Sequence, residues 1–330
     1  MHFLSPCFFA LMLCCLLACQ SNTQYGDAVD SARDTSAAAT EQEPSNRMII
    51  TNLHSADKTQ LHAIQQAFAE SNPGYALHHL SATKQIGARE KQQVLFVQAG
   101  GGTAETSDKE SSKISVGDII LLAPEKSLTT DSLIDYVLFE SPEPAPTNIP
   151  TFIRPDWDPN ITDTPGGCAT ETNAYRRILL TWLGKVGPYL YKSLNAHRVR
   201  IMDSFTHYHP IVGGFDEFYL VQMALPDARI ITSQHTKLIT DPDADLKADQ
   251  ISDLVQETPL KVGDLLYLPR GVIHRGVGGV LAQVITIPGF VPNAEIGVDH
   301  HLRRINEQFV LTVDQELPLN ELASREAVVK

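Results

Sequence analysis

After residue 90 the chain has several short apolar runs, and the stretch 197–201 alternates polar and apolar residues. Side chains two residues apart on a β-strand point to the same face, so this alternation predicts half-buried strands. Short strands of this kind suit antiparallel barrels, because closure leaves few strand edges exposed. The predicted strands lie at 94–98, 114–124, 136–139, 197–201, 217–222, 230–240 and 280–287.

Helical patterns are fewer. Polar residues at 55–58 followed by apolar residues three to four apart predict one capped amphipathic helix that ends near 72–74. The stretch 294–309 predicts a second helix. The pattern at 175–183 fits a helix and a strand equally well, and both interpretations stay open.

The first 46 residues differ from the rest of the chain. An apolar stretch at 8–17 is too short for a permanent membrane helix, and it ends in Leu16-Leu17-Ala18-Cys19, which resembles a bacterial lipobox. The resemblance implies cleavage before Cys19 and acylation of its thiol, although the n-region has no Lys or Arg; a plain secretory signal is the alternative. Residues 19–46 are polar and predict a flexible tether. We therefore expect an exported protein, lipid-anchored to a bacterial membrane (outer membrane and periplasm in a Gram-negative cell).

Cysteine content and charge limit the partners. After removal of the signal only Cys19 and Cys168 of the five cysteines remain, so the mature chain has no internal disulfide. We expect Cys168 to be a small buried residue rather than a reactive thiol. The net charge of −13 argues against nucleic acid and against an anionic bilayer surface. The expected partners are a small molecule and, through the lipid alone, the membrane; a homodimer is an open alternative to a monomer.

One part of the chain carries residues that ligate metals. His207 and His209 stand two apart, so on a strand both imidazoles face the same way and can reach one ion at about 2.0–2.2 Å. Glu217 opens the next predicted strand and is the preferred carboxylate ligand, with Asp216 as the alternative.

A third histidine follows a turn at 269–271. Pro269 has no amide for a ladder and Gly271 supplies backbone freedom, so a strand ends there and His274 is directed back inward. Three imidazoles and one carboxylate hold one divalent ion and leave two positions of an octahedral ion open for water, substrate or O₂. Fe, Mn, Ni and Zn all suit this set.

These residues resemble the cupin superfamily. Its second motif, G-x5-P-x-G-x2-H-x3-N, matches at Gly263, Pro269, Gly271 and His274, with Gly278 in place of the final Asn. Its first motif, G-x5-H-x-H-x(3,4)-E-x6-G, matches at the three ligands but lacks both glycines and has a longer gap before the Glu. The resemblance implies a mainly all-β fold of two cupin-type antiparallel barrels (double-stranded β-helix or jelly roll) with a few peripheral helices.

The two predicted barrels are unequal. Residues 116–118 repeat 262–264 as Val-Gly-Asp, yet the turn after Pro124 has no histidine, so the first barrel is expected to lack a metal. The predicted segments are a signal peptide at 1–18, a tether at 19–46, a degenerate metal-free barrel at 47–140, a linker and wrapping segment at 141–180, a metal-binding barrel at 181–293 and a helical tail at 294–330.

The expected function is that of a metal-dependent cupin enzyme acting on a small, oxygen-rich substrate. The order of a metal-free and a metal-bearing barrel is similar to ring-cleaving dioxygenases of the homogentisate type, so a non-haem dioxygenase is the first choice. A decarboxylase, lyase or sugar isomerase is one alternative, and a lipid-anchored binding protein without turnover is another. No catalytic residue is assigned; the candidates for orienting substrate are Tyr208, Tyr219, Arg275 and Gln283.

Overall fold

The computed structural model of the protein describes residues 47–164 and 176–330. The first eight strands are β1 (Ile49–Asn52), β2 (Ala76–Ile86), β3 (Gln92–Ala99), β4 (Gly101–Thr106), β5 (Ser111–Ser115), β6 (Ile119–Leu122), β7 (Leu128–Ser141) and β8 (Phe152–Ile153). The next nine are β9 (Arg176–Leu180), β10 (Asn195–Asp203), β11 (His207–Tyr208), β12 (Asp216–Ala224), β13 (Arg229–Ser233), β14 (Gln256–Pro259), β15 (Asp264–Leu268), β16 (Ile273–Ile287) and β17 (Ile296–Gly297). The helices are α1 (Thr59–Ser71), α2 (Thr236–Thr240), α3 (Asp299–Gln308) and a 3₁₀ helix at Ala248–Asp253.

The strands form two sheets. Strands β2 to β8 make one sheet of seven, and β1 together with β9 to β17 makes another of ten. The ladders that build both sheets are antiparallel, and the long strands β7 and β16 each pair with several neighbours. The predicted mainly all-β fold, with two barrel-like sheets and a few peripheral helices, is confirmed.

Alternation along β12 gives its two faces different roles. Tyr219 belongs to the apolar core inside the second sheet, whereas Phe218 joins a core shared by both sheets and α1. The ring centroid of Phe218 lies 5.1 Å from that of Phe68 on α1 and 5.1 Å from that of Phe139 on β7. Each buried phenylalanine contributes about 1.5–3 kcal/mol of burial. Because Phe218 faces the shared core, its neighbours Glu217 and Tyr219 face the barrel interior.

An internal repeat noticed in the sequence is also a repeat of structure. Residues 115–118 and 261–264 form the same turn, in which the carboxylate of the last residue accepts a hydrogen bond from the amide of the first, at 2.9 and 2.8 Å. The glycine at the third position has a φ of 96° in one turn and 86° in the other, a region that a side chain disfavours. Each turn leads into a buried strand, β6 or β15.

Two segments predicted to lie outside the metal-binding barrel contribute strands to its sheet. Strand β1, within 47–140, pairs with β15, so that Ile49 faces Tyr267. Strand β9, within 141–180, pairs with β10. Of the two structures that the pattern at 175–183 allowed, a helix or a strand, the chain forms a strand at Arg176–Leu180. The sequence motifs anticipated neither pairing, and that of β1 crosses more than 200 residues, so it leaves no local signal.

The predicted first helix is confirmed as α1. Its N-cap residue, Lys58, makes no side-chain cap, but the amide of Thr59 donates to Oδ1 of Asp57 at 2.9 Å. The helical tail predicted at 294–330 is corrected, because only α3 is an α-helix there and β17 precedes it. Residues 296–297 instead extend the sheet beside β11. Within the described residues, no helix is long and apolar enough to cross a membrane.

Candidate metal centre

Three strands of the second sheet position four ligand-competent side chains. His207 on β11 lies directly opposite His274 on β16, and His209 follows β11 by one residue. Glu217 on β12 pairs with Thr286 of the same strand β16. The tight turn before β16 is held against this group, since the amide of Gly271 donates to the carbonyl of His209 at 2.7 Å. The four predicted ligands are thus brought together from three parts of the chain.

The donor atoms of these side chains converge. One atom from each of His207, His209, Glu217 and His274 lies within 4.8 Å of the other three. The Oε2 atom of Glu217 lies 3.3 Å from Nε2 of His209 and 3.8 Å from Nε2 of His274. All four side chains are buried. Among the residues that the structure describes, this is the one cluster of such side chains that could hold a metal.

Local hydrogen bonds fix which imidazole nitrogens face the cluster. Nδ1 of His207 donates to the carbonyl of Phe205 and Nδ1 of His274 donates to that of Val272, both at 3.1 Å. The Nε2 atoms of all three histidines and Oε1 of Glu217 have no hydrogen-bond partner within the described protein. Buried polar atoms are seldom left without a partner. Imidazole nitrogens and carboxylate oxygens are common ligands of divalent metal ions, so the atoms without partners fit a metal site.

Electrostatics favour a cation at this point. Burial lowers the pKa of His207 and His209 well below the usual value, and lowers that of His274 to about 4. The imidazoles are therefore neutral near pH 7 and have a lone pair for a metal. Burial, and then the charge of Glu295, raise the pKa of Glu217 well above its usual value, while Tyr219 acts in the opposite direction by hydrogen bonding. A bound cation would relieve this cost of a buried carboxylate.

The choice between the two adjacent carboxylates is settled by strand alternation. Glu217 points into the cluster, whereas Asp216 points to the other face of β12. There its Oδ2 accepts hydrogen bonds from Nδ2 of Asn72 at 2.5 Å and from the Tyr267 hydroxyl at 2.9 Å. Its Oδ1 accepts one from the amide of Arg270 at 3.0 Å. Asp216 therefore ties β12 to α1, to β15 and to the turn at 269–271.

Of the four residues predicted to orient substrate, one lies beside the cluster. The ring centroid of Tyr219 is 6.5 Å from that of His274, in an edge-on arrangement. Tyr208 packs instead against an apolar cluster that includes Leu302 of α3. The guanidinium of Arg275 is paired with Asp203, Nη2 to Oδ1 at 2.6 Å. Tyr208 and Arg275 are the chain neighbours of ligand residues on strands, so their side chains face away from the cluster. Their roles in orienting substrate stay predictions.

The side chain of Gln283 makes hydrogen bonds between the two sheets, and its role in orienting substrate stays a prediction. Its Nε2 donates to the carbonyl of Gly117 at 2.9 Å. Its Oε1 accepts hydrogen bonds from Nε2 of Gln98 at 3.1 Å and from Nε2 of Gln222 at 2.9 Å. Gln98 lies on β3 of the first sheet and Gly117 in the turn between β5 and β6, so this buried amide joins the two barrels.

A cavity of about 330 Å³ adjoins the cluster. Glu217 is the ligand that lines it, and the stacked rings of Trp182 and Phe290, with centroids 4.0 Å apart, form part of its wall. The other titratable side chains in its lining are Arg176, His197, Glu295 and Lys330. Sequence analysis missed all four, because they are distant from the motif residues along the chain.

Residues 328–330 complete this cavity by pairing with 295–297. The amide of Glu295 donates to the carbonyl of Lys330 at 3.1 Å, and the amide of Lys330 donates back at 3.0 Å. The Nζ of Lys330 lies 4.3 Å from the ring centroid of Phe205, which stacks on His207 with centroids 4.3 Å apart. The ring of Phe205 therefore lies between the ammonium group of Lys330 and the predicted metal ligand His207.

Two of the cavity residues have displaced pKa values. Burial raises the pKa of Glu295 to about 7, against the charges of Lys330 and Arg176. Burial, with the charge of Arg176, lowers the pKa of His197 to about 3. The cavity therefore contains an acid that exchanges its proton near neutral pH and an imidazole that stays neutral.

Some predictions fall on residues outside the described ranges. These are the signal segment 1–18, the tether 19–46 with Cys19, and Cys168.

Comparison with known proteins agrees with this site. Residues 217–295, which run from the ligand Glu217 through His274 to Glu295, match the JmjC domain family. No curated protein matches the chain. This match spans 79 of the 330 residues, and the chain has the two barrel-like sheets that the cupin-type motifs imply. It has a four-residue cluster able to hold a divalent metal in its second barrel only, as far as the described residues extend.

Several solved structures superimpose on this chain over much of its length. Oxalate decarboxylase of Lactobacillus farciminis in complex with formate has 10% identity and a TM-score of 0.46, covering 76% of this chain and 89% of that one. An IolB-like protein of Salmonella typhimurium has 14% identity and a TM-score of 0.42, with coverages of 65% and 82%. A cupin 2 conserved barrel domain protein of Leptotrichia buccalis has 10% identity and a TM-score of 0.41, covering 74% of this chain and 91% of that one. Such values assign neither a substrate nor a reaction to this chain.

Proposed function

We propose that His207, His209, Glu217 and His274 hold one divalent metal ion, and that the protein is a metal-dependent cupin enzyme acting on a small, oxygen-rich substrate. The observation that carries this proposal is the convergence of four buried donor groups beside a cavity. When bound, a divalent ion would supply Lewis acidity and a template for an oxygen-bearing substrate. The protein's own part is to exclude water, to orient the substrate and to move protons.

Glu295 favours turnover over capture of a ligand. It lines the same cavity as Glu217, and its charge acts on the pKa of that ligand. General acid–base catalysis is most efficient when the pKa of the group lies near the operating pH, and that of Glu295 is about 7. A binding protein without turnover, the alternative from sequence, needs no such group. We assign Glu295 the role of taking a proton from the substrate or returning one to it.

For the reaction we propose non-haem dioxygenation first. Four protein ligands would leave room on an octahedral ion for substrate and O₂ side by side. A decarboxylase, lyase or sugar isomerase would use the same ligands, and metal identity discriminates among them. Iron favours the dioxygenase, manganese the decarboxylase, and zinc the isomerase or lyase.

Elemental analysis tests the metal site. Protein from residue 20 onward should carry about one equivalent of a divalent metal, and a His207→Ala/His274→Ala variant should lose it. A His300→Ala/His301→Ala variant is a matched control, because it removes the same two groups from α3, outside the cluster. Equal metal content in all three proteins would refute the site.

We also propose that the protein is exported and held at a bacterial membrane by a lipid on Cys19. The support is the sequence at 16–19, which resembles a lipobox. Cells grown with an alkyne-tagged palmitate should label the protein and the Cys15→Ala variant, but not Cys19→Ala. Labelling of Cys19→Ala would exclude this anchor.

A further inference from the structure

We propose that the cavity beside the metal centre binds small organic acids, with the carboxylate between Arg176 and Lys330 and the apolar part along Trp182 and Phe290. All four side chains line this one cavity. The inference rests on the proposed metal-dependent function and specifies its substrate class.

Charge is the first argument. Arg176 and Lys330 bring two positive charges to the cavity, and Glu217 and Glu295 bring two carboxylates. Even with both carboxylates ionised these four charges sum to zero, so a divalent ion on Glu217 leaves an excess of two positive charges. In a site with little water such an excess is costly, because the effective dielectric constant is low. An anionic ligand removes this excess, so metal and acid should bind more tightly together than either does alone.

Hydrogen-bonding capacity is the second argument. The hydroxyl of Thr286 and Nε2 of His197 line the cavity and have no hydrogen-bond partner within the described protein. The imidazole of His197 is neutral near pH 7 and can donate or accept. Ligand sites commonly combine a mostly apolar lining with a few such convergent polar groups. Oxygen atoms of an acid would satisfy both positions.

The size and shape of the cavity narrow the class of ligand that it can hold. The cavity of about 330 Å³ is at the lower end of the range for small-molecule sites. A cavity of roughly 150 Å³ already holds benzene, so one ring or a short chain with a carboxylate fits. The stacked pair Trp182 and Phe290 offers an aromatic wall to the apolar part of such a ligand.

Benzoate and its uncharged analogue benzamide are suitable probes. The chain has two tryptophans, and Trp157 is 71% exposed, so a Trp157→Phe background makes Trp182 the fluorescent reporter of the cavity. The protein is loaded with Zn(II), which is redox-inert, and its metal content is measured in every sample. Benzoate should change the fluorescence of Trp182 in a saturable manner, whereas benzamide should bind at least about tenfold more weakly.

Charge-removing variants locate the carboxylate. Lys330→Met and Arg176→Met should each weaken benzoate binding by about tenfold or more while zinc stays at one equivalent. Lys113→Met and Arg200→Met remove the same groups from exposed positions and should bind as the background does. Circular dichroism verifies that the variants are folded. Lys330→Gln provides a second substitution at this position, where the main chain is hydrogen-bonded to that of Glu295.

The outcomes separate the two proposals. Absence of zinc from the unsubstituted cluster contradicts the metal-dependent function. With zinc present, the organic-acid site is overturned by any of three results: no saturable benzoate binding, equal binding of benzamide, or unchanged affinity in both Lys330→Met and Arg176→Met.

Discussion

His207 and His274 are direct cross-strand neighbours, and each donates its Nδ1 proton to the carbonyl of the residue two positions earlier, at 3.1 Å. The two rings are therefore fixed by their own backbone, in the same way, before any ligand arrives. Their Nε2 atoms are directed to a common point with Glu217. Such fixed tautomers reduce the rearrangement that metal binding requires.

The first prediction concerns stability with metal. Zn(II) should raise the free energy of unfolding by about 2.7 kcal/mol at a free concentration one hundred times the dissociation constant, since the ligands come together only in the folded chain. Denaturation with and without Zn(II) measures this difference. The His207→Ala/His274→Ala variant should show little change, and an unchanged midpoint in the unsubstituted protein would contradict the prediction.

The second prediction concerns Asp216, which supports the ligand strand from the opposite face. Asp216→Asn removes the charge that pairs with Arg270, whose Nε lies 3.4 Å from Oδ1. We expect a loss of about 1–3 kcal/mol in stability and weaker zinc binding, because the backbone next to Glu217 loses its attachment. Urea denaturation and zinc titration measure the two effects. Asp227→Asn, at an exposed position in the turn between β12 and β13, is the control; equal behaviour of both variants would argue against this role.

The third prediction concerns pH and His197. Its pKa in the folded chain is about 3, below its ordinary value of 6.5, so protonation favours the unfolded state. The stability that this group contributes is fully present above pH 6.5 and is lost as the pH falls toward about 3, at up to roughly 1.4 kcal/mol per pH unit. Other buried histidines act in the same direction, so only a comparison of variants isolates His197.

In metal-free protein the free energy of unfolding of His197→Gln should therefore fall less steeply below pH 6.5 than that of the unsubstituted chain. His62→Gln, on the exposed face of α1, is the matched control. Parallel curves for His197→Gln and the unsubstituted protein would contradict the assignment.

The fourth prediction concerns Gln283, which joins the barrels. Gln283→Leu leaves the carbonyl of Gly117 without this donor, and we expect a loss of about 1–3 kcal/mol with unchanged zinc content. Chemical denaturation and elemental analysis measure both. Gln234→Leu is an exposed control, and loss of zinc without loss of stability would support a role for Gln283 at the site.

The cluster of three histidines and Glu217 could be predicted from the sequence because the residue patterns that indicate it are local. The spacing of His207 and His209, and the turn that precedes His274, depend on a few neighbouring residues. The same alternation rule that groups the ligands directs their immediate neighbours, Tyr208 and Arg275, to the other face of the strand.

The cavity could not be predicted in this way. Lys330 reaches the site only because residues 328–330 pair with 295–297, and Arg176 only because β9 joins the second sheet. Neither pairing has a motif. The same reason explains why the pattern at 49–52 did not reveal its partner β15.

The placement of β1 limits how this protein could be divided. Residues 49–52 precede the whole first barrel, yet they form the edge beside β15, the strand that leads to His274. A gene fragment encoding only the second barrel would expose that edge to other chains. The second barrel is therefore expected to be stable only together with residues 49–52, and the candidate metal site is not expected to be transferred to another protein by simple exchange of a domain.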